Sequence, residues 1–206
     1  MSKRRYHQSA RADAAAETRR QILDTLYERL REAPLEPVSV DQIARHARVS
    51  RSTIYLVFGS RSGLYDALTE RLIQGAGYDQ IAEATRHPDA RETLRGGLEG
   101  GVRMYAAHHE VLRVLYATGK LDPDGAGRAI ARGEQKRSDS MGWVADRLHE
   151  QGHLRRDVTP ADAAHTIWLL ASFDAYDLLA SGRELRPDDV ARILRETAER
   201  ALLAPA

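Results

Sequence analysis

Residues 38–58 read Val38-Ser39-Val40-Asp41-Gln42-Ile43-Ala44-Arg45-His46-Ala47-Arg48-Val49-Ser50-Arg51-Ser52-Thr53-Ile54-Tyr55-Leu56-Val57-Phe58. Ser39 and Gln42 have the spacing of a capping box, in which each side chain satisfies the other residue's free backbone N–H. A short helix follows to about Ala47, with Val40, Ile43, Ala44 and Ala47 facing inward at helical spacing. Ser50 then caps a second short helix, whose inward residues are Ile54 and Phe58. Two short helices, a tight turn and a small Ala44 at the crossing make a helix-turn-helix. In that motif the second helix enters the major groove and its first turn touches base edges. Here that turn presents Arg51, Ser52 and Thr53: a guanidinium suited to a bidentate pair with guanine, and two hydroxyls with one methyl. Helical hairpins that bind nothing also have caps and small residues. Polar, base-competent side chains filling the exposed first turn set this one apart.

Outward from this stretch the chain reads as helical throughout. Prolines at 34, 37, 88, 123, 160, 187 and 205 mark boundaries, because proline lacks the donor a helix interior needs. Between them lie stripes at helical spacing: Ile22, Leu23, Leu26, Tyr27 and Leu30; Leu94, Leu98, Val102, Tyr105, Leu112 and Leu115; Val190, Ile193, Leu194, Thr197, Ala201 and Leu202. Thr159-Pro160-Ala161-Asp162 is a helix start, with a capping hydroxyl, proline at the first position and an acid in the first turn; Pro187-Asp188-Asp189 repeats the logic. No segment of useful length alternates with period two. The expected fold is all-α, with eight to nine helices: a three-helix DNA-binding domain over residues 1–61, joined to a helical domain over 62–206.

The chain has 206 residues, 42% hydrophobic and 30% charged, enough to bury a core. Without cysteine there is no disulfide, thiol nucleophile or cysteine-ligated metal. No apolar run exceeds five residues, against about 20 for a membrane-spanning helix. The N-terminus lacks the apolar core of a secretory signal, so a cytoplasmic protein is expected. Net charge is only +1, but residues 1–61 carry twelve Lys/Arg against seven Asp/Glu and residues 62–206 nineteen against twenty-three. The basic end is therefore the one suited to phosphate. Lys3, Arg4, Arg5 and Arg11 precede the first acid, Asp13, as a basic N-terminal arm.

The pattern Ser39-Val40-x-x-Ile43-Ala44-x-x-Ala47-x-Val49-Ser50-x-x-Thr53-Ile54-Tyr55-x-x-Phe58-x-Ser60-Arg61 resembles the TetR (tetracycline-repressor) family of transcriptional regulators over about fifty residues. The resemblance implies that Arg51, Ser52 and Thr53 face bases, that Tyr55 and Arg61 hold phosphates, and that Ser39 lies near the DNA backbone. Ser50 caps the recognition helix beside them. The resemblance also implies a C-terminal ligand-binding domain, a homodimer, and repression relieved by a small molecule. Two positions depart from the family. Arg48 stands where the turn usually has glycine; a left-handed backbone there costs about 1 kcal/mol and adds a cation near the phosphates. Gly63 stands where an acidic or polar helix former is common, which predicts a loose first turn in helix 4.

The C-terminal region offers less chemistry. Gly96, Gly97, Gly100 and Gly101 interrupt a helical pattern at about 1 kcal/mol each. Close helix packing or a kink explains them; so does room for a ligand. A pocket drawn from Leu98, Val102, Met104, Tyr105, His108, Tyr116, Trp143, Trp168 and Phe173 is expected, although such residues also build plain core. Helices of about 159–181 and 187–203 are the expected dimer interface, through Ile167, Leu170, Leu178, Ile193, Leu194 and Ala201, which could equally close the monomer core. Asp174, on an apolar helix, needs a partner if buried. His149-Glu150-Gln151-Gly152-His153 fits the H-E-x-x-H pattern of zinc proteases. Gly152, followed by the polar Arg155-Arg156-Asp157, reads better as a helix stop that leaves His153 outside, and the adjacent His108 and His109 point about 100° apart. No cofactor, no metal and no catalysis are expected. A ligand-responsive DNA-binding regulator is the first reading; a metal-dependent hydrolase on His149, Glu150 and His153, and a constitutive DNA binder without an effector, are the alternatives.

Overall fold

A computed structural model describes residues 3–34, 36–75 and 77–205, with side chains from residue 12 onward. The arm side chains Lys3, Arg4, Arg5 and Arg11 therefore lie outside the described residues. The elements in order are α1 (Lys3–Glu32), α2 (Val40–His46), α3 (Arg51–Phe58), α4 (Arg61–Ile73), α5 (Tyr78–Arg86), α6 (Ala90–Ala107), α7 (His109–Leu121), a π-helical turn (Pro123–Gly127), α8 (Arg128–Glu150), α9 (Pro160–Leu170), α10 (Phe173–Ala180) and α11 (Pro187–Leu202). The described residues thus form eleven α-helices rather than eight or nine, and only an isolated bridge between Leu154 and Leu203 stands outside helical structure as β. No described helix is long and apolar enough to cross a membrane.

One extra helix comes from a break inside the segment expected as one helix over 159–181. Ala171 closes α9, and the Ser172 hydroxyl accepts the Ala175 N–H at 3.0 Å to start α10. Asp174 lies exposed in that first turn, where the helix dipole favours an anion, so it is not a buried charge in need of a partner.

Two compact units divide the chain: Met1–Glu70 with Val114–Ile130, and Arg71–Arg113 with Ala131–Ala206. The division falls within α4. In the first unit Ile22, Leu26 and Leu30 of α1, Ile43 of α2, Ile54 of α3 and Leu64, Tyr65 and Leu68 of α4 are all buried, as the α1 and helix-turn-helix stripes require. In the second, Leu94 and Leu98 of α6 pack with Val144, Ala145 and Leu148 of α8, Ala163 and Ile167 of α9, and Ala198 and Leu202 of α11. Ile167, expected at a dimer face, belongs to this core, and Leu194, expected there too, is buried.

The α6 glycines separate into two pairs. A Cβ on Gly96 would stand 2.6 Å from the Cβ of Ala84, and one on Gly100 would stand 2.6 Å from Cγ1 of Ile81. Those two let α5 lie close against α6, the packing role weighed from sequence. Gly97 and Gly101, on the next face, have nothing within 4 Å of that position.

His108, at the end of α6, is held below its ordinary pKa of 6.5 by burial and then by the nearby Arg71. The unfolded chain therefore binds this proton more readily. Stability is expected to fall as pH drops through about 6.5 toward the lower folded value, and His108→Gln to remove that part of the slope. Urea melts of both proteins from pH 7.5 to 5 check this; identical slopes would refute it.

Candidate nucleic-acid interface

The helix-turn-helix forms as its local sequence dictates. The Ser39 hydroxyl accepts the Gln42 N–H at 3.3 Å and caps α2. Only half of the expected box is made, because Oε1 of Gln42 is buried without a partner. The Ser50 hydroxyl accepts the Thr53 N–H at 3.0 Å, caps α3, and stands 2.7 Å from the Ser52 hydroxyl and 2.8 Å from that of Thr53. The first turn of α3 thus carries a ring of three hydroxyls held together, with Ser50, Arg51 and Ser52 exposed.

Arg48 adopts φ = 51°, the left-handed conformation its place in the turn predicts, and its side chain is exposed. Arg48→Gly is expected to stabilise the fold by about 1 kcal/mol. It should also weaken DNA binding at every sequence and reduce the salt slope by about one. Denaturant midpoints and binding isotherms at several salt concentrations check the two opposite signs.

Arg51 does not stand free. Its Nε lies 3.2 Å from Asp41 on α2, and the Tyr55 hydroxyl first, then the Asp41 carboxylate, hold its pKa above the ordinary value. Sequence reading missed Asp41, which stands in the first turn of α2, across the motif from Arg51. Arg61 is also placed otherwise than expected. Its Nη2 donates to the Val38 carbonyl at 3.0 Å and pairs with Asp122 at 3.0 Å, which ties the start of α4 to the residue ahead of α2's cap and to the turn after α7. The α3–α4 junction is firm rather than loose: the Ser60 hydroxyl accepts the Gly63 N–H at 2.9 Å. Leu56, which sequence reading passed over, is 87% exposed.

The residues expected to line a pocket differ in burial. Leu98, Val102, Tyr105 and Phe173 are buried in the second unit. The Tyr105 hydroxyl donates to the Ala171 carbonyl at 2.9 Å, and burial pushes its pKa up to about 12. Its ring stands 5.6 Å from Phe173 and 5.8 Å from Tyr176, which is core packing. Trp143 and Trp168 are exposed, each under an arginine, Arg147 and Arg137. Tyr116 belongs to the first unit. Met104 and His108 remain, half-buried, on the α6 stripe of Gly97 and Gly101.

The H-E-x-x-H match dissolves in the structure. α8 ends at Glu150, Gly152 takes φ = 70°, and the His153 N–H returns to the Leu148 carbonyl at 2.8 Å. His153 lies past the helix, paired with Asp89 at 3.2 Å, while His149 is exposed on α8. Among the described residues no three His, Asp or Glu side chains gather as a metal site. Ser181, His109 and Asp177 do meet, but Nε2 of His109 faces both Asp177 at 2.6 Å and Ser181 at 3.3 Å. A nucleophilic triad needs the two ring nitrogens for separate partners.

Comparison with known proteins agrees with this geometry. Residues 22–68 match the family described as bacterial regulatory proteins, tetR family. The HTH-type transcriptional regulator EthR of Mycobacterium tuberculosis is 30% identical over 94 residues, which cover 45% of this chain and 44% of that protein. The match thus spans less than half the length of this relative. Among solved structures, a transcriptional regulator from Saccharomonospora viridis in complex with choline superposes with a TM-score of 0.69 at 21% identity, covering 92% of this chain and 100% of that one. NalD, the secondary repressor of the MexAB-OprM multidrug efflux pump in Pseudomonas aeruginosa, gives 0.70 at 20% identity, covering 94% and 100%. A TetR-family regulator from Rhodococcus sp. gives 0.71 at 19%, covering 90% and 98%. Residues 22–68 thus match the tetR family of bacterial regulatory proteins, and across the chain the likeness to these solved structures is one of fold.

Proposed function

We propose that the chain is a sequence-specific DNA-binding transcriptional regulator, a non-catalytic cytoplasmic repressor released from a pseudo-palindromic operator by a small-molecule effector. The observation that carries this is the capped first turn of α3, where Arg51, Ser52 and Thr53 present a guanidinium and two hydroxyls. Residues 1–61 make the DNA-binding domain. Ser39, Arg48 and Tyr55 approach the DNA backbone, Ser50 fixes the base-reading turn, and Arg61 acts by anchoring the start of α4 to Val38 and Asp122. The efflux-pump repressor among the fold neighbours fits the repressor reading.

It works as a homodimer. Support comes from apolar side chains left exposed on α8, α9 and α10: Trp143, Trp168, Leu169 and Leu178. A second copy would cover them, whereas the apolar stripe of α11 (Val190, Leu194, Ala198, Leu202) is already buried. The interface therefore draws on α8 with α9 and α10, in place of the expected α11. The effector binds beside α6, where Gly97 and Gly101 leave space next to Met104 and His108. It releases DNA only by binding the released state more tightly than the DNA-bound one.

Selecting bound fragments from random DNA with the purified protein tests the reading. The expected product is a pseudo-palindrome with half-site centres about 34 Å apart, one helical turn. Enrichment of no sequence would refute the regulator, and a lone half-site would refute the dimer.

A further inference from the structure

We propose that Leu56 reads thymine in the operator through its 5-methyl group, a specificity contact that rests on the DNA-binding reading above. Five of the eight residues of α3 are apolar or aromatic, and the fold accounts for three of them. Ile54 is fully buried, Val57 is half-buried, and the half-buried Phe58 lies beneath the Arg19 guanidinium at 4.9 Å. Tyr55 is 39% exposed and carries a polar hydroxyl at its tip. Leu56 stands two residues beyond Ile54, about 200° around the helix, and is 87% exposed. It contributes no burial to the fold.

Its position gives it a task. Leu56 follows Ser52 by four residues and Thr53 by three, so all three share one face of α3. It lies about 6 Å further along the axis than Ser52, or nearly two base-pair steps at about 3.4 Å each. A helix that brings Arg51, Ser52 and Thr53 to base edges brings Leu56 to an edge as well. In the major groove the C5-methyl of thymine is the one apolar group that projects from a base edge; the purines and cytosine present mainly donors and acceptors. Leucine can pair with none of those, so against guanine, adenine or cytosine it strips water from a polar edge without replacing the lost hydrogen bond. Leu56 therefore favours thymine by contact and disfavours the other bases by desolvation.

The methyl group can be removed without disturbing base pairing. Using a fragment selected as above, each thymine of a half-site is replaced in turn by deoxyuridine, and binding of wild type and Leu56→Ala is measured. At one thymine, loss of the methyl should weaken wild-type binding about fourfold, the worth of one buried methyl group. Leu56→Ala should bind the thymine site more weakly and bind the thymine and uracil versions equally. Its exposure makes that substitution harmless to folding, and a denaturant melt confirms this. The proposal is overturned if no thymine responds to methyl removal, if the half-site contains no thymine, or if Leu56→Ala keeps the wild-type penalty. It is also overturned if Leu56→Ala binds as wild type does, which would leave the leucine to a protein partner. Selection that enriches no sequence overturns the DNA-binding reading itself.

Discussion

Arg51→Ala is expected to weaken binding to the selected operator by about 10- to 100-fold and to relax one base position. The cause is geometric. A guanidinium presents two parallel donors, and guanine alone offers two acceptors, O6 and N7, at the matching spacing. In the free protein those donors are engaged by Asp41, so DNA either displaces the carboxylate or takes the donors it leaves open. Removing Arg51 also strands the Asp41 charge near the phosphates, which adds a loss common to all DNA. The double variant Arg51→Ala, Asp41→Asn separates the two: binding to unrelated DNA recovers, and the lost base preference does not. Equal weakening on operator and unrelated DNA, persisting in the double variant, would deny Arg51 a base-reading role.

Gly63→Ala should cost about 2–3 kcal/mol of stability and weaken operator binding in parallel. A Cβ at this position would stand 2.1 Å from the carbonyl oxygen of Phe58, a backbone atom of the last residue of α3. Nothing flexible can give way there, so α3 and α4 must move apart. The Ser60 cap on the Gly63 N–H and the Arg61 anchor to Val38 and Asp122 would be strained by the same shift. Since α3 carries the base-reading turn, the displacement reaches the DNA. Urea unfolding should show a lower midpoint with an unchanged m-value. A variant as stable as wild type, with full affinity, would refute the packing account of this glycine.

These two predictions mark how far the sequence could be read. Whatever depends on neighbours within four or five residues was legible: the Ser39 and Ser50 caps, the inward Ile43 and Ile54, the left-handed Arg48, and the stop at Gly152 that separates His149 from His153. What depends on distant chain was not. Arg61 pairs with Asp122, sixty-one residues on, because residues 114–130 fold into the first unit. No local pattern announces that, and a basic residue after a recognition helix otherwise reads as a phosphate ligand. The α9–α10 break was hidden for another reason: the run Ile167–Ala171 continues the apolar stripe up to the serine that ends it. Trp143 and Trp168 misled by type. Large aromatics point to burial, but helical spacing alone does not say whether a stripe faces its own core or a second copy. Gly63 was noticed as a departure, yet its reason, a carbonyl where a side chain would be, exists only in three dimensions.

The central claim is that the first turn of α3 reads base edges, and one double cycle tests it most directly. Each guanine of the selected half-site is replaced by 7-deazaguanine, which removes the N7 acceptor and leaves pairing intact. Wild type and Arg51→Ala are then compared on each operator. At one guanine the two losses should fail to add, with a coupling of about fivefold or more, because the same bond is removed from either side. Losses that add independently at every guanine would contradict the account and return α3 to a purely structural role.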